Sequence, residues 1–579
     1  MKKFFALLLC LFTAFSVTAC GSAEEEDNST TTVITVHNYN GGVGNKWLED
    51  AAARFTALKT ADSYEEGKTG VKINIVGNQQ SELSTMATSG YNMFFFEQHY
   101  DIRNLSQGEK LLDVSDVLTE KSNDERDGVK VSIEDKIPEE YRSTLKGADG
   151  KYYGLPHYAW YPGLTYDREL FDKYNFYFAA PDEANKQKIE TQFGGEHYFI
   201  ADKNGKKSCG SDGKYGTADD GLPSSVEEFL VLCAYMKTTY GVQPVTMAGM
   251  YKYYSNYLVE GLWASLSGGE QMKVNYTFTG DVDVVTGYTN ENLFEGIDYV
   301  KKPIVETKSV TEATGYLAYD SVYRYYAASL VKILEKEKFF SSDATMGSVS
   351  HTTAQGDFIF SGKAQMPKTA MLIEGTYWYN ETEEKANNLT DYYSDPRNTE
   401  RDVRWMNLPT IISGSAKPVA DDAPARKNTA VETGGAYLVV NANIEGKTGL
   451  INAIKDFIKF LYTDSELEAF TVSTGIPKAM LDYEVSDAKI ADLPEFKKSV
   501  INFAKTSDVV YGAADNETFL KNGNDVFKVR VNAPVFVPKY KNVSYMSYFQ
   551  AYENGATAQD VFEATRISAE GWKAYYVGN

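Results

Sequence analysis

Residues 33–55 read VITVHNYNGGVGNKWLEDAAARF, a strand, a glycine-rich loop and a helix in immediate succession, and this passage decides the fold. Val33 to Val36 is a short β-rich run. Asn38-Tyr39-Asn40-Gly41-Gly42-Val43-Gly44 is built from residues that favour turns. Asn45 stands where a helix cap belongs, and Trp47, Leu48, Ala51, Phe55 and Leu58 then share one helical face. Downstream, Val71, Ile73 and Ile75 alternate as a strand, Ser81–Thr88 reads as a second helix and Met93–Phe96 as a third strand. Strand–helix–strand–helix–strand opens an α/β lobe with a mostly parallel sheet. Ligands of such sheets sit on loops beyond the carboxyl ends of the strands, which puts Asn38–Gly44 and Glu97–Asp101 on the functional edge.

The theme returns later. Ala436 to Val440 is strand-like and precedes a strong helix carrying Leu450, Ile451, Ile454, Phe457, Ile458 and Leu461 on its apolar side, and Val226–Met236 reads as another amphipathic helix. A composition of 43% hydrophobic and 24% charged residues is that of an ordinary globular protein.

The N-terminus sets the compartment. Lys2 and Lys3 precede an apolar run, Phe4 to Val17, that is too short for a membrane span and has the form of a secretory signal. Val17-Thr18-Ala19-Cys20-Gly21 matches the bacterial lipobox, so the expectation is cleavage after residue 19 and a diacylated Cys20. Two acyl chains hold a protein firmly where one does not. Residues 20–32, with Glu24, Glu25, Glu26 and Asp27, are too polar to fold alone and form an acidic tether. The expected location is the outer face of the cell membrane. Loss of 19 residues from 579 leaves 560, too many for a single core, and loss of Lys2 and Lys3 takes the formal charge from −22 to −24. So acidic a surface repels phosphate backbones, which disfavours nucleic acid as a partner.

Several segments in order resemble the family 1 extracellular solute-binding proteins of ABC transporters, the group that contains maltose-binding protein. They are the lipobox; Val33–Phe55; Gly154-Leu155-Pro156 with Gly163-Leu164-Thr165-Tyr166-Asp167-Arg168-Glu169-Leu170-Phe171; Met371 to Trp378; Glu432 to Tyr437; and Ala453 to Thr463. The resemblance implies a two-lobed periplasmic-binding-protein-like α/β fold, each lobe a mostly parallel sheet flanked by helices and joined by crossing hinge strands. Carried onto this chain, crossings fall near Leu155–Tyr158 and Trp405–Thr410. Lobe 1 then takes 33–154 with 410–461, and lobe 2 takes 155–409 with 462–579, including an insertion around 175–222. The implied function is capture of a carbohydrate, an oligosaccharide by preference, and its delivery to the permease subunits of an ABC importer by a monomeric protein that needs no cofactor.

A sugar offers C–H faces to flat rings and hydroxyls to carboxylates and amides. Trp160 and Tyr158 follow the first crossing, Tyr377 and Trp378 follow the Gly375 turn where the resemblance puts a stacking aromatic, and Tyr257 and Trp263 share a segment comparable to the family's cleft. Glu97 and Asn40 are the rim candidates on the first lobe.

Other features point elsewhere. Asp202 and Asn204, with Asp212, Asp219 and Asp220 in a glycine-rich stretch, resemble extracellular loops that bind Ca²⁺, and equally a set of Asx turns. An extracytoplasmic compartment permits a Cys209–Cys233 disulfide. No nucleophile elbow or zinc motif appears, so no catalytic residue is assigned. A non-sugar solute on the same fold, such as a peptide or polyamine, is the alternative, with a surface glycoside hydrolase behind it.

Overall fold

A computed structural model describes residues 30–576 apart from 40, 79–82, 98–101, 252, 364–365, 385, 433–434 and 523–547. The signal, Cys20, the first part of the tether and Asn40 lie outside the described residues. Nine strands build the two main sheets: β1 (Thr32–Tyr39), β2 (Val71–Asn78), β3 (Met93–Glu97), β4 (Gly154–Pro156), β5 (Pro162–Asp167), β6 (Gln243–Thr246), β7 (Thr369–Gly375), β8 (Val403–Trp405) and β9 (Ala436–Val440).

The first sheet runs β2-β1-β3-β9-β4. β2 and β3 flank β1 in parallel, Val36 facing Ile75 on one side and Met93 on the other. The opening strand–helix–strand reading therefore holds. β9 is antiparallel to both β3 and β4, so the sheet is mixed where a mostly parallel one was expected. Helix Lys46–Leu58 buries Trp47, Leu48, Ala51, Ala52 and Phe55. Its apolar face ends there, because Leu58 is 67% exposed. Asn45 does not cap it through its side chain. Helix Thr448–Leu461 supplies the opposing wall, its Phe457 and Phe460 meeting Phe55 at 5.0 and 5.4 Å. Full burial of such a phenylalanine is worth about 1.5–3 kcal/mol. The helix expected at Ser81–Thr88 is a 3₁₀ helix, Leu83–Thr88.

The second sheet runs β6-β7-β5-β8, with β6 parallel to β7 and both β7 and β8 antiparallel to β5. Every residue of β5 and β7 is buried. Helix Tyr254–Thr277 packs along this sheet and kinks at Gly268. Helix Val226–Tyr240 is not amphipathic as expected: Glu228 to Met236 are all buried. Phe229 to Met236 is an unbroken apolar run with no polar face, and the insertion packs on it, with Phe199 at 5.1 Å from Tyr235. Asp167 accepts from Leu170 N at 3.0 Å to start helix Arg168–Tyr174, and its other oxygen takes a 2.7 Å bond from Arg401, both side chains being wholly buried.

Residues 157–161 carry the chain from the first sheet to the second. They are laced to 477–479 by Ala159 N–H to Pro477 O at 3.0 Å and Ala479 N–H to His157 O at 3.1 Å. Among the described residues, no helix is long and apolar enough to cross a membrane.

Candidate functional site

Because Gly375 pairs with Pro162, the residues just before β5 and just after β7 are brought together. Trp160 meets Tyr377 edge to face at 5.3 Å. Tyr257, on the first turn of helix Tyr254–Thr277, completes the group, with its ring 5.2 Å from Trp160 and its hydroxyl 3.1 Å from that of Tyr377. Tyr251, Tyr253 and Tyr254 extend the aromatic surface, and Tyr253 is exposed. The loop after β1 comes down on these rings from the first sheet. At Gly42, φ +80°, a Cβ would stand 3.0 Å from the Tyr158 hydroxyl and 3.4 Å from Tyr377 Cβ, so this approach needs glycine. Of the sequence candidates, Trp160, Tyr158, Tyr377 and Tyr257 thus share one place.

Carboxylates border it. Glu97 ends β3, and its negative charge is felt at Tyr39, Tyr158 and Tyr253. Behind the rings, Gln355 Nε2 donates to Glu374 Oε1 at 3.1 Å and to Glu381 Oε2 at 2.9 Å, while Gly375 N–H donates to Glu374 Oε2 at 3.1 Å. Burial, and then the neighbouring Glu381, hold the Glu374 carboxyl well above the usual range, and its hydrogen bonds only partly offset them. Burial pushes the phenols of Tyr158, Tyr254, Tyr257 and Tyr377 well up as well, reinforced by the nearby carboxylates. Those hydroxyls therefore stay protonated and able to donate. The Trp160 indole N–H is buried and has no acceptor among the described residues. Flat rings, neutral O–H and N–H donors and carboxylate acceptors are a set suited to holding a polyhydroxylated solute by its faces and rim.

Two candidates belong to the core instead. Trp378 is fully buried, donates its Nε1–H to Thr165 Oγ1 at 2.9 Å and packs against Phe358, Tyr379 and Phe496. Helix Trp378–Glu384 begins at this residue, and one helical step of about 100° separates its direction from that of Tyr377. Trp263 is buried against Tyr319, with its N–H on Ser321 Oγ at 3.1 Å. Sequence reasoning passed over Glu374, Glu381 and Gln355, and Tyr251 and Tyr253. The tyrosine run at 251–257 carried a signal for the last two, whereas the glutamates lie in a fully apolar-looking strand and a short helix.

The aspartate loops are turns. Asp219 Oδ2 accepts from Ser211 N–H, Ser211 Oγ and Asp212 N–H at 2.8–3.0 Å, and Asp220 accepts from Gly216 N–H at 2.7 Å. Asp212 accepts from Lys214 N–H at 2.7 Å, and burial followed by the Asp219 charge pushes its carboxyl up to about 6. Asp202 serves Asn204 N–H and Asn185 in a separate turn. Among the described residues, no group of three or more His, Cys, Asp or Glu side chains is arranged to hold a metal ion, and these carboxylates meet backbone N–H groups as in Asx turns. The disulfide expectation is corrected. Cys209 and Cys233 are free and buried, the first facing the Ala416 carbonyl at 3.7 Å and the second in the middle of helix Val226–Tyr240.

A cavity of about 560 Å³ opens elsewhere, beside the 477–479 segment, lined by Tyr161, Leu481, Tyr483, Ile501, Lys505 and Tyr511 among others. None of the clustered rings or carboxylates lines it.

No family model matches the chain, and no curated protein does. Among solved structures, it is similar to a chitin oligosaccharide binding protein, with a TM-score of 0.51 at 14% identity over 95% of this chain and 100% of that one. At so low an identity the likeness is one of fold, and it spans nearly all of both chains: the mixed α/β architecture described above is consistent with an α/β binding-protein fold.

Proposed function

We propose that this chain is the lipid-anchored solute-binding component of a bacterial ABC importer, and that it captures a carbohydrate between two lobes, one around each main sheet. The observation that carries this reading is the meeting of Trp160, Tyr257 and Tyr377 from the second sheet's side with the Gly42 loop from the first. Rings, phenol donors and the Glu97 carboxylate then contact a sugar together only when the lobes are closed, so binding shifts the population toward the closed state. The lipobox supports attachment through Cys20, and the solute's next stop would be a permease. The fold likeness to an oligosaccharide-binding protein agrees with a sugar ligand.

Binding requires no chemistry on the solute, and the proposal is that none occurs. The test is a thermal-shift screen of the mature protein against mono- and oligosaccharides, chitin oligosaccharides included, followed by chromatography of the recovered sugar. A ligand present at 100 times its Kd stabilises by about 2.7 kcal/mol, which a melt resolves easily. Recovery of intact sugar fits a binding protein, and shortened products would identify a hydrolase. A cationic solute such as a polyamine is the second reading, favoured by Glu97 and Glu381 standing beside so many rings. Stabilisation by spermidine with none by any sugar would select it.

A further inference from the structure

The first-sheet loop and helix Trp378–Glu384 meet at a second point. Glu384 ends that helix, and its Oε2 accepts the backbone N–H of Asn45 at 3.0 Å. Asn45 opens the 13-residue helix Lys46–Leu58, whose first N–H groups have no partner within the helix. The residue placed to cap that end does not do so, because the Asn45 side-chain oxygen accepts from Asn38 Nδ2 at 2.8 Å. The helix start, with its partial positive charge, is served instead by a carboxylate 339 residues away in sequence. Gly44 makes the room. Its φ is +68°, and a Cβ there would overlap Glu384 Oε2.

The seven-residue helix that ends in Glu384 also organises the site. Tyr377 immediately precedes it, and Glu381 shares Gln355 with Glu374 midway along it. Asn380 fixes its start, donating to Thr474 O at 2.8 Å close to the crossing at 477–479. Glu384 is exposed, so its bond to Asn45 breaks without uncovering any core. One short element thus touches the solute site at its beginning and the opposite side's helix terminus at its end.

We infer that Glu384 is a closure latch, a positioning residue whose bond to the start of helix Lys46–Leu58 sets how much of the ligand-free protein is closed and, through that, how tightly a solute is held. This rests on the proposed capture between two lobes. The competent fraction multiplies directly into apparent affinity.

The experiment uses the mature chain carrying spin labels at Ala53→Cys and Thr390→Cys, both exposed positions, with label separations measured by pulsed electron resonance without solute. Glu384→Ala is expected to broaden and lengthen the distance distribution, and Glu384→Gln, which keeps an acceptor oxygen, to leave it as in the parent. Gly44→Ala, which expels the carboxylate from the other side, should reproduce the alanine result. Affinity for chitotetraose should fall roughly tenfold in Glu384→Ala, mainly through faster release, and stay within about twofold in Glu384→Gln. Distances in Glu384→Ala and Gly44→Ala that superimpose on the parent would overturn the latch while leaving solute capture standing. A parent that binds no sugar, with labels that still separate in Glu384→Ala, would instead refute capture and retain the latch. Far-ultraviolet circular dichroism excludes misfolding as the cause of either shift.

Discussion

Trp378→Ala separates a core tryptophan from a ligand-stacking one. The ring is fully buried, with Phe496 at 5.3 Å, Tyr379 at 5.8 Å and Phe358 at 5.9 Å, and the indole N–H bonds Thr165 at 2.9 Å. Truncating such a tryptophan costs about 3–5 kcal/mol in lost contacts and cavity. Thr165 is itself buried, and removing its partner adds about 1 kcal/mol. For a cooperative unit of 150–250 residues each kcal/mol moves Tm by about 2–4 °C, so a fall of about 10 °C or more is expected. Scanning calorimetry measures it, and titration calorimetry well below the melt should find sugar affinity within about twofold of the parent. Trp160→Phe, which keeps a ring but removes the unpartnered N–H, should do the opposite, weakening affinity about tenfold with a smaller loss of Tm. A Trp378→Ala protein with unchanged Tm and lost affinity would refute the reasoning and return that ring to the site.

Glu374→Gln tests the buried carboxyl. Its pKa is raised in the fold, so the native state holds the proton more tightly than the unfolded chain, and stability falls as pH rises from the ordinary value of 4.5 through the raised one. The variant should melt with the parent near pH 4 and increasingly above it as pH rises, and parallel Tm profiles would contradict this. In the aspartate loop the same sign applies between about 3.8 and about 6, so Asp212→Asn should flatten the decline across that window. Millimolar calcium should leave Tm where it is, since the loop's oxygens already accept backbone N–H groups; a rise of several degrees would restore the metal site. Arg401→Met strands the buried Asp167 carboxylate and should cost about 3–5 kcal/mol, read from urea midpoints, with an unchanged midpoint counting against the buried pair.

The first sheet was legible because its elements announce themselves locally. The 33–55 passage, the alternation of Val71, Ile73 and Ile75, and the helical spacing of Leu450 to Leu461 each carry their own period. What failed needed three-dimensional knowledge. The antiparallel entry of β9 beside β3 is a matter of chain return, on which its pattern Ala436–Val440 is silent. Helix Val226–Tyr240 carries an unbroken apolar run, Phe229–Met236, so it has no polar face there to mark a solvent side, and that whole stretch is buried while the last turn is open to water. At the candidate site, loop position and the resemblance named Trp160, Tyr158, Tyr257 and Tyr377, which the fold brings together, but a one-residue step decides whether a ring joins that cluster or the core, and the boundary between Tyr377 and Trp378 is finer than periodicity resolves. Asp-Gly spacing describes a turn and a calcium loop alike, and the difference lies in which N–H groups the carboxylates meet.

The distribution of the tryptophans has an optical consequence. All six are at most 6% exposed. Trp47, Trp263, Trp378, Trp405 and Trp572 are each enclosed by other rings or backbone carbonyls of the core, and Trp160 alone stands among the clustered tyrosines of the site. The ligand-free protein should emit at short wavelength, and any change in intensity or colour on adding solute should come from one indole. Trp160 is thus a native fluorescent reporter, and binding can be followed on the unlabelled chain.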